Sequence, residues 1–217
     1  MSLREGENKL TNDDVVGLIV HAYNNFLSGM MGYSELTLLD CENPSQIEYL
    51  NQSMESGHEA VHFGKALLAS IGRLQVDMKH YSLEELLKST IESSDLEITI
   101  DNFEPYKNIR ILTDMSWFQE CFMDLLLFIS TYRKTEKINI SLELKEESKN
   151  LRVSIFTEEI TLSDDDIKNL FIPFYSSKIL LGEKDIGLSK AKGFFGQMNA
   201  DLSWANGEGF LLEVSLC

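Results

Sequence analysis

Residues His21-Ala-Tyr-Asn-Asn-Phe-Leu-Ser-Gly-Met-Met-Gly-Tyr-Ser-Glu-Leu36 run sixteen positions without a proline and place apolar residues at alternating three- and four-residue steps. That is helical periodicity. Followed outward, the pattern holds over residues 11–40 as two adjacent stripes. One passes through Val16, Ile19, Tyr23, Phe26, Met30 and Tyr33, the other through Val15, Leu18, Ala22, Gly29, Gly32, Leu36 and Leu39. Thr11 with Asp14 forms a start resembling a capping box, and Cys41-Glu-Asn-Pro44 ends the helix, with Ser45 available to cap the next. The second helix repeats the spacing through Ile47, Leu50, Met54, Gly57, Val61, Gly64, Leu68 and Ile71. Each helix comes to ~30 residues, hence ~45 Å. A lone hairpin cannot bury two stripes per helix, so the pattern predicts a homodimer, a four-helix bundle completed by a second copy. His21 stays off both stripes and shares a polar, solvent-facing side with Asp14, Gly17, Asn24, Asn25 and Ser28.

Composition shifts after Arg73. The second half predicts short helices at Ser82–Ile91, Asp164–Leu170 and Asp185–Met198, and a longer one at Met115–Tyr132 with a wide apolar face. Strands are predicted at Leu96–Asp101, Asn108–Leu112, Lys137–Leu144 and Leu151–Phe156, and a closing hairpin joins Ala200–Trp204 to Gly209–Leu216 across Asn206–Gly207. The expected class is an α-helical hairpin, residues 1–78, followed by an α+β sandwich, residues 79–217.

Charge narrows the partners. Nineteen Lys and Arg against 35 Asp and Glu give a net −16, which repels phosphate backbones and anionic lipid, so neither nucleic acid nor a membrane is an expected partner. The longest apolar run, Leu125 to Ile129, is far short of the ~20 residues of a membrane span. The first residues lack an apolar signal core, so a cytoplasmic location is expected. Cys41, Cys121 and Cys217 are odd in number and widely spaced, and read as free thiols. No metal site is visible.

The segment His21 to Leu36 resembles the phosphoacceptor box of sensor histidine kinases, where His-Asp-Phe-Asn-Asn-Leu-Leu precedes a Gly-Tyr-x-Glu-Leu ending. Downstream, Phe171-Ile-Pro-Phe-Tyr-Ser-Ser-Lys178, Ile186-Gly-Leu-Ser189 and Gly207-x-Gly-Phe210 resemble pieces of the ATP-binding domain of the same family. The resemblance covers nearly the whole chain in the family's order. It implies a dimeric phosphoacceptor bundle and a histidine-kinase-like ATPase sandwich.

The departures fall on the nucleotide site. Where the family has Asp-x-Gly-x-Gly, with the Asp holding the adenine amino group, this chain has Thr157-Glu-Glu159-Ile-Thr161. The phosphate-cradling Gly-x-Gly-x-Gly falls on Glu183-Lys-Asp185-Ile-Gly187, and only the last glycine is kept. Glycines there admit backbone N–H groups to a phosphate, whereas carboxylates facing a phosphate repel it by a few kcal/mol at ~5 Å and an effective dielectric of ~20. The magnesium-binding Asn-Leu-Leu-x-Asn-Ala corresponds to Asp124-Leu-Leu-Leu-Phe128-Ile129; Asp124 can face a cation but Phe128 cannot. The expected cofactor set is therefore empty.

The phosphoacceptor box is better kept. The resemblance implies His21 as phosphoacceptor and Asn25, one turn on, as the residue that can orient a water for dephosphorylating a receiver. The acid that follows the family's His is Ala22 here. Neutral imidazole is a competent nucleophile toward a phosphoryl group. The expected function is histidine phosphotransfer, without ATP, between His21 and the aspartate of a response-regulator receiver. Three alternatives remain open at this point: a non-catalytic pseudokinase that only binds; a kinase with an unusual site built on Asp124 and Lys178; and a phosphatase relying on Asn25. His58, His62 and His80 are expected on or near the second helix without ligand partners. Met30–Met31 reads as bundle packing and Asp164–Asp166 as a helix N-terminal charge run.

Overall fold

A computed structural model describes residues 12–134, 137–145, 147, 149–157, 161–175 and 186–216. Helices α1 (Asn12–Leu39) and α2 (Pro44–Ser70) form the antiparallel hairpin; Thr11 lies outside the described residues. The cap of α2 is Asn43, not Ser45. Its Oδ1 accepts from the Ser45 and Gln46 N–H groups at 3.0 and 3.4 Å. Pro44 explains the choice, because a first-turn proline has its φ preset for the helix and lacks the N–H that would want a partner.

At the other end of α2, Gly72 adopts φ +69°. Its N–H reaches Ala69 O at 2.9 Å, and that of Arg73 reaches Leu68 O at 2.8 Å. This paired closure is a Schellman motif, which needs a left-handed residue that glycine supplies at no cost.

The hairpin seam corrects the sequence reading of α1. The α2 stripe through Met54, Gly57, Val61, Gly64 and Leu68 does face α1. On α1, however, the face turned toward α2 runs through Gly17, Val20, Asn24, Leu27 and Met31, two of which were assigned to the polar side. Small residues on α2 decide this. A Cβ at Gly57 would lie 2.8 Å from Met31 Cγ, and one at Gly64 2.9 Å from Asn24 Oδ1, so both side chains occupy space that glycine leaves. The two apolar stripes of α1 consequently lie outside. Phe26 is 72% exposed, Tyr33 75% and Leu39 80%.

The second half starts with β1 (Lys79–Ser82) and α3 (Leu83–Glu92). A complete capping box starts α3: Ser82 Oγ accepts from the Glu85 N–H at 3.2 Å, and Glu85 Oε2 accepts from the Ser82 N–H at 2.7 Å. Next come β2 (Glu97–Asp101), β3 (Arg110–Thr113), α4 (Met115–Arg133), β4 (Lys137–Lys145), β5 (Asn150–Phe156) and α5 (Asp164–Asn169). The chain closes with α6 (Gly187–Gln197), β6 (Ala200–Ala205) and β7 (Gly209–Ser215). β1 was not foreseen. Its four residues lack alternation and become a strand by pairing with β3, from Lys79↔Thr113 to Ser82↔Arg110. That pairing also moves β3 two residues beyond its expected start.

The main sheet has the order β2-β4-β5-β7-β6, parallel only between β2 and β4. Alternate residues of β4, β5, β7 and β6 turn inward: Ile138, Ile140, Leu142; Leu151, Val153, Ile155; Phe210, Leu212, Val214; Leu202, Trp204. Helices α3, α4 and α6 cover that one face and bring Leu86, Phe118, Phe122, Leu125, Phe194 and Phe195 to the core. The result is a two-layer α/β sandwich. Among the described residues, no helix is long and apolar enough to cross a membrane.

The hairpin is packed onto the sandwich through the end of α2 and α6. Gly193 makes this possible, since a Cβ there would stand 2.0 Å from Ala69 O. The segment after α2 is tied down as well. Leu74 N–H donates to Gln197 Oε1 at 3.2 Å, Gln197 Nε2 donates to Leu74 O at 2.9 Å, and Asp77 N–H donates to Asp114 Oδ2 at 2.9 Å.

Candidate functional site

His21 is exposed on α1 and lines a cleft of about 740 Å³ between the hairpin and the sandwich. Asn24 and Lys65 line it from the hairpin, Arg73 to Asp77 from the connecting segment, and Asp114 and Trp117 from the start of α4. Local sequence fixes each wall. The Schellman turn at Gly72 throws Arg73 back against α1, where its Cδ and Nη1 lie 3.8 and 4.0 Å from the Cβ position of Gly17, one turn before His21. Asp114 is the N-cap of α4 and accepts from the Trp117 N–H at 3.3 Å. Asp77 pairs with Lys79. Asn25, exposed and one turn beyond His21, is not among the residues lining the cleft. The expectation that His21 meets solvent holds, but what faces it is a shaped cleft rather than an open helix surface.

The positions matched to a nucleotide site are separated by burial. Phe128 is buried and packs edge-on against Trp204 and Phe210, with centroids 6.2 and 5.6 Å away, and stacks on Tyr132 at 5.9 Å. It belongs to the core. Thr157 is buried, and among the described residues its Oγ1 has no hydrogen-bond partner. Gly187 is the buried first residue of α6. Glu159, Lys178, Glu183 and Asp185 lie outside the described residues, as does Cys217.

Asp124 is engaged by a residue that sequence reasoning passed over. Lys190 Nζ lies 2.8 Å from Asp124 Oδ2 and 2.5 Å from Glu120 Oε1, with only 7% of its side chain exposed. Burial pushes the Lys190 pKa down, yet the charge and hydrogen bonds of Asp124 and Glu120 outweigh it and raise the ammonium to about 12. A signal for this existed. Glu120 and Asp124, the two carboxylates of α4, stand four residues apart beside its apolar face, a like-charge pairing that calls for a counter-charge.

His62 has neighbours that the sequence did not foretell. Its Nε2 lies 3.0 Å from Glu120 Oε1, and its ring stacks on Trp117 at 5.7 Å with 2° between planes. It therefore links α2 to α4. His80 belongs to β1 rather than to the helix. Among the bland expectations, Met31 packs across the hairpin while Met30 is exposed. Asp164 to Asp166 open α5 behind the Ser163 cap, which accepts from the Asp166 N–H at 3.2 Å. Cys121 is buried, which pushes its thiol pKa well up.

No protein-family model and no curated protein sequence matches this chain. Solved structures do. The chain superimposes on Acinetobacter baumannii histidine kinase AdeS with TM-score 0.56 at 14% identity, over 88% of this chain and 95% of that one. Full-length ShkA, solved with AMPPNP, gives TM-score 0.64 at 17% identity, over 95% of this chain but 46% of the longer ShkA chain. The catalytic domain of histidine kinase ThkA gives 0.51 at 17% identity over 65% of this chain. The fold is that of sensor histidine kinases, a two-helix segment followed by the ATPase-type sandwich.

Proposed function

We propose that this chain is a histidine phosphotransferase of two-component signalling. His21 exchanges a phosphoryl group with the aspartate of a response-regulator receiver, and the sandwich works without nucleotide. Residues 1–78 act as the phosphoacceptor unit and residues 79–217 as a wall against which the receiver docks. The observation that carries the reading is the setting of His21, exposed at a cleft whose far wall belongs to the sandwich. Lys190 supports the absence of nucleotide. Where the magnesium-binding helix of the family offers its side chains to a cation, Asp124 and Glu120 here hold an internal ammonium. Phe128, the second of those positions, fills the core.

The second copy has support too. Leu18, Ile19, Phe26, Met30, Tyr33 and Leu36 form a continuous exposed apolar row on α1. Such a row marks an interface, and a parallel copy of the hairpin would bury it as a four-helix bundle.

The reading is tested by charging receiver domains from the same genome with radiolabelled acetyl phosphate and mixing each with the purified protein. One receiver should lose label to the protein in an acid-labile, base-stable form, and His21→Ala should abolish the transfer. A receiver that binds tightly yet transfers no label to either protein would replace this reading with the non-catalytic one.

A further inference from the structure

We infer that His62 is a positioning residue of the His21 cleft, holding Trp117, the aromatic wall supplied by the sandwich, at the setting a receiver must fit; the inference rests on the phosphotransfer reading above. Trp117 lines the cleft together with His21 and Lys65. His62 stands one turn before Lys65 on α2 and is not itself among the lining residues. It reaches the same indole, with ring centroids 5.7 Å apart and 2° between planes. Its Nε2 also lies 3.0 Å from Oε1 of Glu120, which follows Trp117 by one turn of α4. One side chain of the hairpin therefore grips two successive turns of the helix that forms the far wall.

The grip is anchored on both sides. The Glu120 oxygen that meets His62 also accepts from Lys190 Nζ at 2.5 Å, so α6 fixes the carboxylate. Next to His62, Phe63 meets Phe174 of the sandwich with ring centroids 6.2 Å apart. Phe174 takes φ +66°, a left-handed setting that a bulky residue keeps only where its surroundings hold it. The end of α2 is already attached, through Ala69 against Gly193 and the Leu74–Gln197 pair. A single attachment leaves rotation about it. His62 supplies a second one two turns earlier, about 10 Å along the helix, and two attachments fix the angle. With its side chain 55% exposed, His62 adds little to the core, and an exposed pair contributes little to global stability. Between two units the same contact decides how they sit. A receiver that touches α1 and the start of α4 together binds only molecules with the two correctly spaced, and its apparent affinity falls with their fraction. Holding Trp117 to α2 keeps that fraction high before the receiver arrives.

The test uses single-turnover label transfer from the charged receiver to the whole protein, with the half-saturating receiver concentration and the rate at saturation measured separately. His62→Ala is expected to raise the half-saturating concentration about tenfold and to leave the saturated rate within about twofold of wild type. His62→Gln, which can still donate to Glu120, should recover part of the loss, and His62→Phe, which keeps the stack on Trp117, should recover part as well. Small-angle X-ray scattering needs no receiver and should show the double variant His62→Ala, Phe63→Ala more extended than wild type. Both residues are exposed on α2, so these variants fold. A wild-type half-saturating concentration in His62→Ala overturns the positioning role, as does an unchanged scattering profile in the double variant. A loss confined to the saturated rate overturns it too. In each of these cases the phosphotransfer reading survives as long as His21→Ala takes no label. If His21→Ala still accepts label, both fall together.

Discussion

The hairpin and the sandwich treat charge in opposite ways. Around His21, the side chains of Lys65, Arg73, Asp77 and Asp114 line an open cleft between the two halves, where Asp77 pairs with Lys79 and Asp114 caps α4. Around Asp124, the charges are closed on one another, with Lys190 buried between two carboxylates and His62 Nε2 3.0 Å from Glu120 Oε1. An open charged cleft serves a ligand. A closed ion-pair network serves the fold, because removing one partner leaves the others unpaired in a poor solvent. The comparison sets an accessible group of charges beside His21 against a self-paired one on α4.

The largest effect that can break this comparison is at His21, where the substitution is expected to remove phosphotransfer without unfolding the chain. Next is Lys190→Met. It strands Glu120 and Asp124 and should cost about 3 kcal/mol, or roughly 6–12 °C in melting temperature for a chain of this size. The pH dependence has a definite sign. The Lys190 pKa is raised from 10.5 to about 12 on folding, so the bridge contributes its full stability below pH 10.5 and loses it as pH rises through 12. Melting curves from pH 9 to 12 check this, and a wild-type chain whose melting profile over that range matches the Met variant would show that the network contributes little.

A smaller effect is expected where the two halves meet. Gly193→Ala places a methyl group against the Ala69 carbonyl and should cost about 1–3 kcal/mol. Part of that loss should appear as faster tryptic cleavage at Arg73, in the segment the docking holds. Unchanged cleavage would mean that the contact between α2 and α6 is not what anchors the segment. The smallest expected effect is none at all. Mg-ATP or Mg-ADP at millimolar concentration should leave the melting curve flat, whereas a ligand at ~100 times its dissociation constant would add ~2.7 kcal/mol, or roughly 5–10 °C. A shift of that size would return the sandwich to the class of working kinases.

Periodicity made most of the elements legible. The 3.6-residue stripes gave both long helices, and the alternation in Lys137–Leu144 and Leu151–Phe156 gave the central strands within a residue of their ends. What could not be read is what depends on a partner. β1 exists because β3 pairs with it. The cap of α2 moved to Asn43 because of Pro44. The seam of the hairpin follows the voids at Gly57 and Gly64, which no count of apolar residues on α1 reports.

For the candidate site the division is similar. His21 and its neighbour Asn25 were singled out by the resemblance of their own segment to a phosphoacceptor box, which leaves their roles as proposals. So were the substitutions at Asp124, Phe128 and Thr157, since they are departures at counted positions. The cleft was not foreseen, because Lys65, Arg73, Asp114 and Trp117 come from three elements joined only when α2 docks on α6. Nor was the Lys190 bridge, which spans 66 residues from Asp124 and 70 from Glu120. By itself the sequence determined the helices and the strand pattern, which follow from interactions between near neighbours. Only the tertiary structure decided which charges line an open cleft and which neutralise one another, because that depends on distances between residues the chain keeps far apart.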